Sequence, residues 1–371
     1  MNTKCIIIFS GFNQRAVIAF IRTLEKNKLQ YGIIATSNGD TILDTEYASK
    51  VIVIRQFKVL DLNDIKNTIL LFKQKIIANE YIIAPTTEAL NRFLLLHRNE
   101  IENSDVKIPL VSKELYEKIS DKYCFGRLCT NNNIQVPSQF ADSRDIQVPF
   151  VAKPLHYFAS DGLNYPPILV FSETDKINFF SKYNSSDFYF QDYIEGKSYY
   201  LLYYFHRNGN VYKFSQQNII QQPEGKSIVA AISSQIHLGE ESAKYEALFK
   251  SIEFNGLVMI ELMERNGTYY MIEANPRFWG PSQLFVDAGM NFFDAFLHDY
   301  GLIKNSPEFI EHNKIYNYFW FGGIIQTFKS KKMLKFHESN EVELLSLLTK
   351  WLMSDIYRRN DTQNIFKNEL L

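Results

Sequence analysis

Cysteine is nearly absent from this chain: Cys5, Cys124 and Cys129 are the only three among 371 residues. Three thiols so spaced make neither a disulfide framework nor a zinc site, and reduced thiols packed as small hydrophobes are expected. An excess of either charge is also lacking. Lys and Arg number 40 and Asp and Glu 41, which leaves no basic stripe for nucleic acid and no acidic solvating arm. No apolar run approaches the ~18 residues of a membrane span, and "KCIIIFS" enters a strand without a cleavable leader pattern. A cytoplasmic protein that binds neither nucleic acid nor membrane is the expectation. Glycine is missing where a dinucleotide would need it. "SGFNQRA", at the first strand-to-helix turn, offers Gly11 alone and lacks G-x-G-x-x-G. That disfavours a nicotinamide-binding oxidoreductase and leaves a tight structural turn as the simpler reading. No Ser/His/Asp arrangement is apparent, so no covalent nucleophile is expected.

What is present is apolar content of 46%, ample for two or three domain-sized cores. Over the first 110 residues or so, strands at 4–10, "YGIIATS", "VIVI" and "YIIAP" alternate with helical spacing at 11–28, 61–78 and 88–100. This alternation predicts a parallel sheet with helices on both faces. "PTTEAL" sits at the carboxyl end of the fourth strand, where open α/β sheets place ligands. Glu88 there reads either as a substrate contact or as a first-turn acid behind a Thr cap. "SKELYEKISDKYCFGRLCTNNN" predicts one helix and "IQVPSQ" a linker. From "VPFVAKPL" onward the pattern turns antiparallel, with hairpin turns at "RNGN" and "RNGT". The fold class expected is thus α/β followed by α+β. In the tail, "YNYFWFGG" and "EVELLSLLTKWL" carry apolar stripes that suit core packing or, alternatively, a partner surface.

The chemistry concentrates in "ELMERNGTYYMIEANPR". A two-residue Asn-Gly turn would pair Glu261 with Ile272 and send Glu273 to the opposite face, because side chains alternate. A three-residue loop, Arg265-Asn266-Gly267, sets Glu261 opposite Met271, with Glu273 a diagonal step away on the same face. A joint site therefore needs an odd loop or a bulge, and the three-residue loop is the expected form. Asn275 and Arg277 follow Glu273 at period two and share its face. Two carboxylates and an amide oxygen make an oxygen-only set suited to magnesium; the competing reading is a solvated strand face. Lys153 follows Phe150, Val151 and Ala152 in a strand, where a buried ammonium needs an anion.

"VMIELMERNGTYYMIEANPRFWG" resembles the closing motif of the ATP-grasp superfamily. "SDKY", "PFVAKPLHYFASDGL" and "FQDYIEGKSYY" resemble, in order, that family's Asp-Lys start, its strand lysine with flexible loop, and its adenine hinge. The spacing of the two acids is similar to that in the biotin carboxylase and carbamoyl-phosphate synthetase branch. The resemblance implies a pre-ATP-grasp domain over 1–112, a small lobe over 113–192, a large lobe over 193–300 and an extension over 301–371. It implies Lys122 and Lys153 on ATP phosphates, with Ser160 and Gly162 in a loop above them. Gln191 would lie near the adenine amino group, and the backbone of Asp192 and Ile194 would read the base edge. Ser198 stands where relatives often carry a ribose-binding acid. Glu261, Glu273 and Asn275 would hold magnesium, as two ions with manganese an alternative. Lys153 and Arg277 would be catalytic, with Arg277 and Glu88 toward the substrate. The implied reaction is carboxylate activation as an acyl phosphate, followed by attack of an amine, with ADP and phosphate released. Partners would be a small acid, a small amine and a second copy of the chain. The alternatives are a non-amine acceptor, or nucleotide binding without turnover.

Overall fold

The computed structural model describes residues 3–103, 105–140, 146–308, 314–337 and 339–371. Three sheets organise it. The first holds β1 (Lys4–Phe9), β2 (Tyr31–Ala35), β3 (Val51–Ile54), β4 (Glu80–Ile83) and β5 (Val106–Lys107), all parallel, in the order β3-β2-β1-β4-β5. Its central strands are continuous apolar runs because helices cover both faces, chiefly Gln14–Lys26, Leu62–Lys75 and Glu88–Leu96. The turn at Gly11 is structural: φ is +92°, and a Cβ would lie 2.2 Å from the Thr36 hydroxyl. Cys5 and Cys129 are buried, as expected, and Cys124 is exposed.

The expected single helix over 112–133 is two, Lys113–Ser120 and Lys122–Asn131. Asp121 breaks it by leaving helical geometry and accepting the Cys124 N–H at 2.8 Å as an N-cap. Both helices pack on the large sheet, where Phe125 stacks on Phe249.

A small antiparallel sheet, β7-β6-β8, joins β6 (Phe150–Pro154), β7 (Ile168–Val170) and β8 (Phe188–Asp192). The large sheet runs β13-β12-β9-β10-β11-β14, from β9 (Lys197–Phe205), β10 (Val211–Gln221), β11 (Ile228–Ser234), β12 (Gly256–Arg265), β13 (Thr268–Asn275) and β14 (Asn317–Phe319). A two-residue β15 (Lys335–Phe336) pairs with Ile220 and Gln221 of β10. The tail is therefore woven into the large sheet rather than appended to it. Trp320, Ile356, Tyr357 and Ile365 share one core with Phe20 and Phe278. Arg22, on the first helix, holds Asp361 through two hydrogen bonds of 2.7 and 2.9 Å. Among the described residues no helix is long and apolar enough to cross a membrane.

The hinge between the small and large sheets leaves no room at Gly196. Its φ is +155°, and an added Cβ would fall 1.9 Å from the Glu264 carbonyl oxygen. Neither strand can yield without breaking ladder bonds. Gly196→Ala is expected to destabilise the fold by about 2 kcal/mol or more, read as a Tm lower by several degrees in a thermal melt.

Candidate active site

The hairpin that carries the acids departs from the expected loop. Arg265 pairs with Thr268 across a two-residue turn, with Asn266 at φ 54° and Gly267 at φ 78°. Asn-Gly with both residues left-handed matches the twist of the strands, so the three-residue loop does not form. The register is corrected further along. Leu262 faces Met271, but Glu261 faces Glu273, so Ile272 is an extra residue on β13. This bulge puts the two carboxylates directly opposite each other, not diagonally. The freed groups have partners: Lys153 donates to the Ile272 carbonyl at 3.0 Å, and the Met271 N–H donates to the Gln135 carbonyl at 2.9 Å.

Period two does the rest. Lys122 Nζ lies 2.7 Å from Glu273 Oε2. Asn275 Nδ2 donates to Glu273 Oε1 at 2.7 Å, and Arg277 Nη2 donates to Asn275 Oδ1 at 2.9 Å. Lys122, Glu273, Asn275 and Arg277 thus form one continuous polar chain. Phe278, just beyond it, donates its N–H to the Pro85 carbonyl and ties the chain to the first sheet.

Glu261 and Glu273 stand between two cavities and line both. The smaller, about 140 Å³, is bounded by Lys122, Lys153, Gln191, Asp192, Tyr193, Ile194, Gln221 and Lys335. The larger, about 780 Å³, reaches from the acids past Glu88, Arg277 and Trp279 to Trp320 and Glu369. The two acids differ in charge state. Burial, then the facing Glu273 carboxylate, pushes Glu261 well above the usual carboxylate range. Burial opposes ionisation of Glu273 as well, but the Lys122 ammonium and the Asn275 amide outweigh it and hold that carboxyl low. Burial, then the Lys122 charge, brings the Lys153 ammonium down to about 8.

This donor set fits a hard divalent cation. Two carboxylates facing across a ladder repel each other, and a cation between them removes the repulsion. Among the described residues no group of three His, Cys, Asp or Glu side chains could hold a metal. Any such site here thus consists of two acids and an amide, and the Asn275 oxygen is shared with Arg277.

The remaining sequence candidates divide. Gln191 is buried in the smaller cavity; its Nε2 donates to the Pro137 carbonyl at 3.2 Å, and its Oε1 is an unpartnered acceptor among the described residues. The Asp192 N–H is already given to the Ser138 carbonyl at 2.9 Å, so only its carbonyl remains for a base edge. Glu88 lines the larger cavity, accepts from Arg92 at 2.9 Å and stands in the first turn of the helix that Thr87 caps. Ser160 and Gly162 are not brought to either cavity. Ser160 binds Asp187 through its N–H at 3.1 Å and its hydroxyl at 2.7 Å, and Gly162 faces open space. Ser198 is fully buried and accepts from Asn218 at 2.9 Å inside the sheet, away from both cavities. A ribose role there is incompatible with that position. Ser198→Ala should leave MgADP affinity within about twofold while lowering stability by about 1 kcal/mol, measured by calorimetric titration and urea unfolding.

Sequence reasoning missed three contributors. Arg15, from the first turn, lies on the larger cavity with its guanidinium 3.9 Å from the Trp320 ring. Glu369, from the last helix, accepts from the Trp320 indole at 3.0 Å, and burial pushes its carboxyl up to about 7. Lys335 reaches the smaller cavity from the tail. No local pattern marks any of them.

A small antiparallel lobe faces a large sheet across a cleft with ammonium groups on one wall and paired acids on its floor. That arrangement defines a two-lobed protein of the grasp type. Residues 119–281 match the family model of the ATP-grasp domain, so the chain carries an ATP-grasp domain over that stretch. No curated protein matches its sequence. Among solved structures it is similar to the N5-carboxyaminoimidazole synthetase of Staphylococcus aureus, at 16% identity over 89% of this chain and 88% of that one, with a TM-score of 0.64. It is likewise similar to the biotin carboxylase domain of the Hydrogenobacter thermophilus 2-oxoglutarate carboxylase, solved with MgADP and bicarbonate. That match is 16% identical over 85% of this chain and 73% of that chain, with a TM-score of 0.62. At these identities the likeness concerns the fold.

Proposed function

We propose that this chain is an ATP-dependent ligase that activates a substrate carboxylate as an acyl phosphate and joins it to an amine, releasing ADP and phosphate. The observation that carries the reading is the bulge at Ile272, which sets Glu261 opposite Glu273 at the boundary of two cavities. The smaller cavity suits a nucleotide. Gln191 offers an acceptor to the base, and Lys122 and Lys153 offer compact cations to phosphate oxygens. Glu261, Glu273 and Asn275 would hold magnesium, which when bound supplies charge neutralisation for phosphoryl transfer. On the far side, Arg277 presents a planar fork that suits a carboxylate or an acyl phosphate. The larger cavity has room for an acid and an amine together. The neighbour with MgADP and bicarbonate is consistent with a nucleotide beside a small anion in this fold.

The test is ADP release from MgATP, screened over carboxylates crossed with amines, with product mass as the second readout. An acid–amine pair that gives ADP and a condensed product upholds the proposal. MgATP binding with no release against any pair replaces catalysis with the binding reading. ADP release with an uncondensed or ester product replaces the amine with another acceptor.

A further inference from the structure

The tail returns to the nucleotide side of the molecule in a short strap, residues 332–337, outside the stretch that matches the family model. It is fastened at several points. Lys332 pairs with Glu224, and β15 pairs with β10 at Ile220 and Gln221. The His337 ring lies 3.3 Å from the Gly196 carbonyl and 3.1 Å from Gln221 Oε1. Burial, then the Lys335 charge, keeps that imidazole down at about 4, so the ring is neutral and brackets the hinge with an N–H given to only one of these two oxygens at a time.

This bracket delivers Lys335 to the wall of the smaller cavity. Lys335 Nζ donates to the Tyr193 hydroxyl at 2.9 Å and lies 5.2 Å from the centre of that ring. Tyr193 belongs to the hinge, beside Gln191 and Ile194. Yet Lys335 is also among the charges that act on the Glu261 carboxyl, at the cavity's other end. Its ammonium, fixed on Tyr193, thus lines the cavity whose interval from Gln191 to the paired acids a nucleotide must span. In a bound nucleotide that interval is spanned by the ribose and the first phosphate. Ser198 is sealed in the sheet and offers nothing to that interval. A compact, strongly hydrated cation discriminates for phosphate oxygens over neutral hydroxyls.

We propose that Lys335 is a nucleotide-binding residue that contacts the phosphate nearest the ribose, so that the tail completes the nucleotide site. The inference rests on the nucleotide reading of the smaller cavity. Binding of MgADP and of adenosine to the full chain, followed by titration calorimetry, tests it. K335M should weaken MgADP at least tenfold and change adenosine less than twofold, because adenosine lacks the phosphate. K335R should restore MgADP affinity to within about threefold of wild type, since it keeps the charge. Wild-type MgADP affinity in K335M overturns the inference. Equal weakening of adenosine and MgADP overturns it too, because the strap would then act only as scaffold. A wild-type chain that binds no MgADP overturns the nucleotide reading itself, a result distinct from these.

Discussion

Glu273→Gln is expected to lower the rate of ADP release about 10³-fold while the fold persists. The side chain keeps its shape but only one acceptor oxygen, so one of the two 2.7 Å contacts, from Lys122 or from Asn275, is kept and the other donor loses its acceptor. What disappears is the negative charge that Lys122 holds in its ionised form. Without it, the remaining acid, Glu261, is a carboxyl that burial already biases toward the neutral form. The floor of the cleft then carries little fixed negative charge with which to hold a divalent cation. Preorganised charge at a transferring phosphoryl group is worth about 10²–10³ in rate for a single group, and loss of a metal site removes more than one interaction. Initial rates of ADP release over a magnesium series, with circular dichroism of both proteins, check this. Unchanged rates in a folded variant would sink the metal-floor reading.

Much of that floor was legible from residue spacing. Glu273, Asn275 and Arg277 alternate in a strand, and alternation alone puts them on one face. Lys153 stood out because an ammonium in an apolar strand needs an anion. The parallel first sheet followed from helix and strand periods. The pairing of the acids was legible only as a condition. The Asn-Gly dipeptide dictates a tight two-residue turn, and the compensating bulge is fixed at long range, by Lys153 on the Ile272 carbonyl and Gln135 on the Met271 N–H. Neither is a neighbour in sequence. Ser198 misled for a related reason: its burial depends on Asn218 in the next strand. Lys335 lies in a strand of two residues, too short to show any period. The break at Asp121 was readable in principle, since Asp before a helical run is a cap signal, but it sits inside a longer helical pattern that masks it.

Lys153→Met should separate stability from function. The lysine is 4% exposed, and its ammonium donates to a neutral carbonyl, that of Ile272. Its largest charged influence after burial is another ammonium, that of Lys122. Such a group is poorly solvated, and a methionine of similar length would fill the same space without a charge to desolvate. The variant should unfold at a higher urea concentration than wild type, yet bind MgADP about 10–100-fold more weakly, because a phosphate-facing cation is gone. The pH dependence fixes the cause. In the folded chain the ammonium titrates at about 8; in the unfolded chain it titrates near ~10.4. Between those values the unfolded state binds more protons, so wild-type stability rises with pH across that window. Below pH 8 the penalty is present in full, about 3 kcal/mol at most; above ~10.4 it has vanished. The thioether of the variant has nothing to titrate. The stability gap between variant and wild type should therefore be widest near neutrality and narrow markedly by about pH 9.5, with no parallel recovery of nucleotide affinity by the variant. A gap that stays constant with pH would mean that packing, rather than the buried charge, sets the difference.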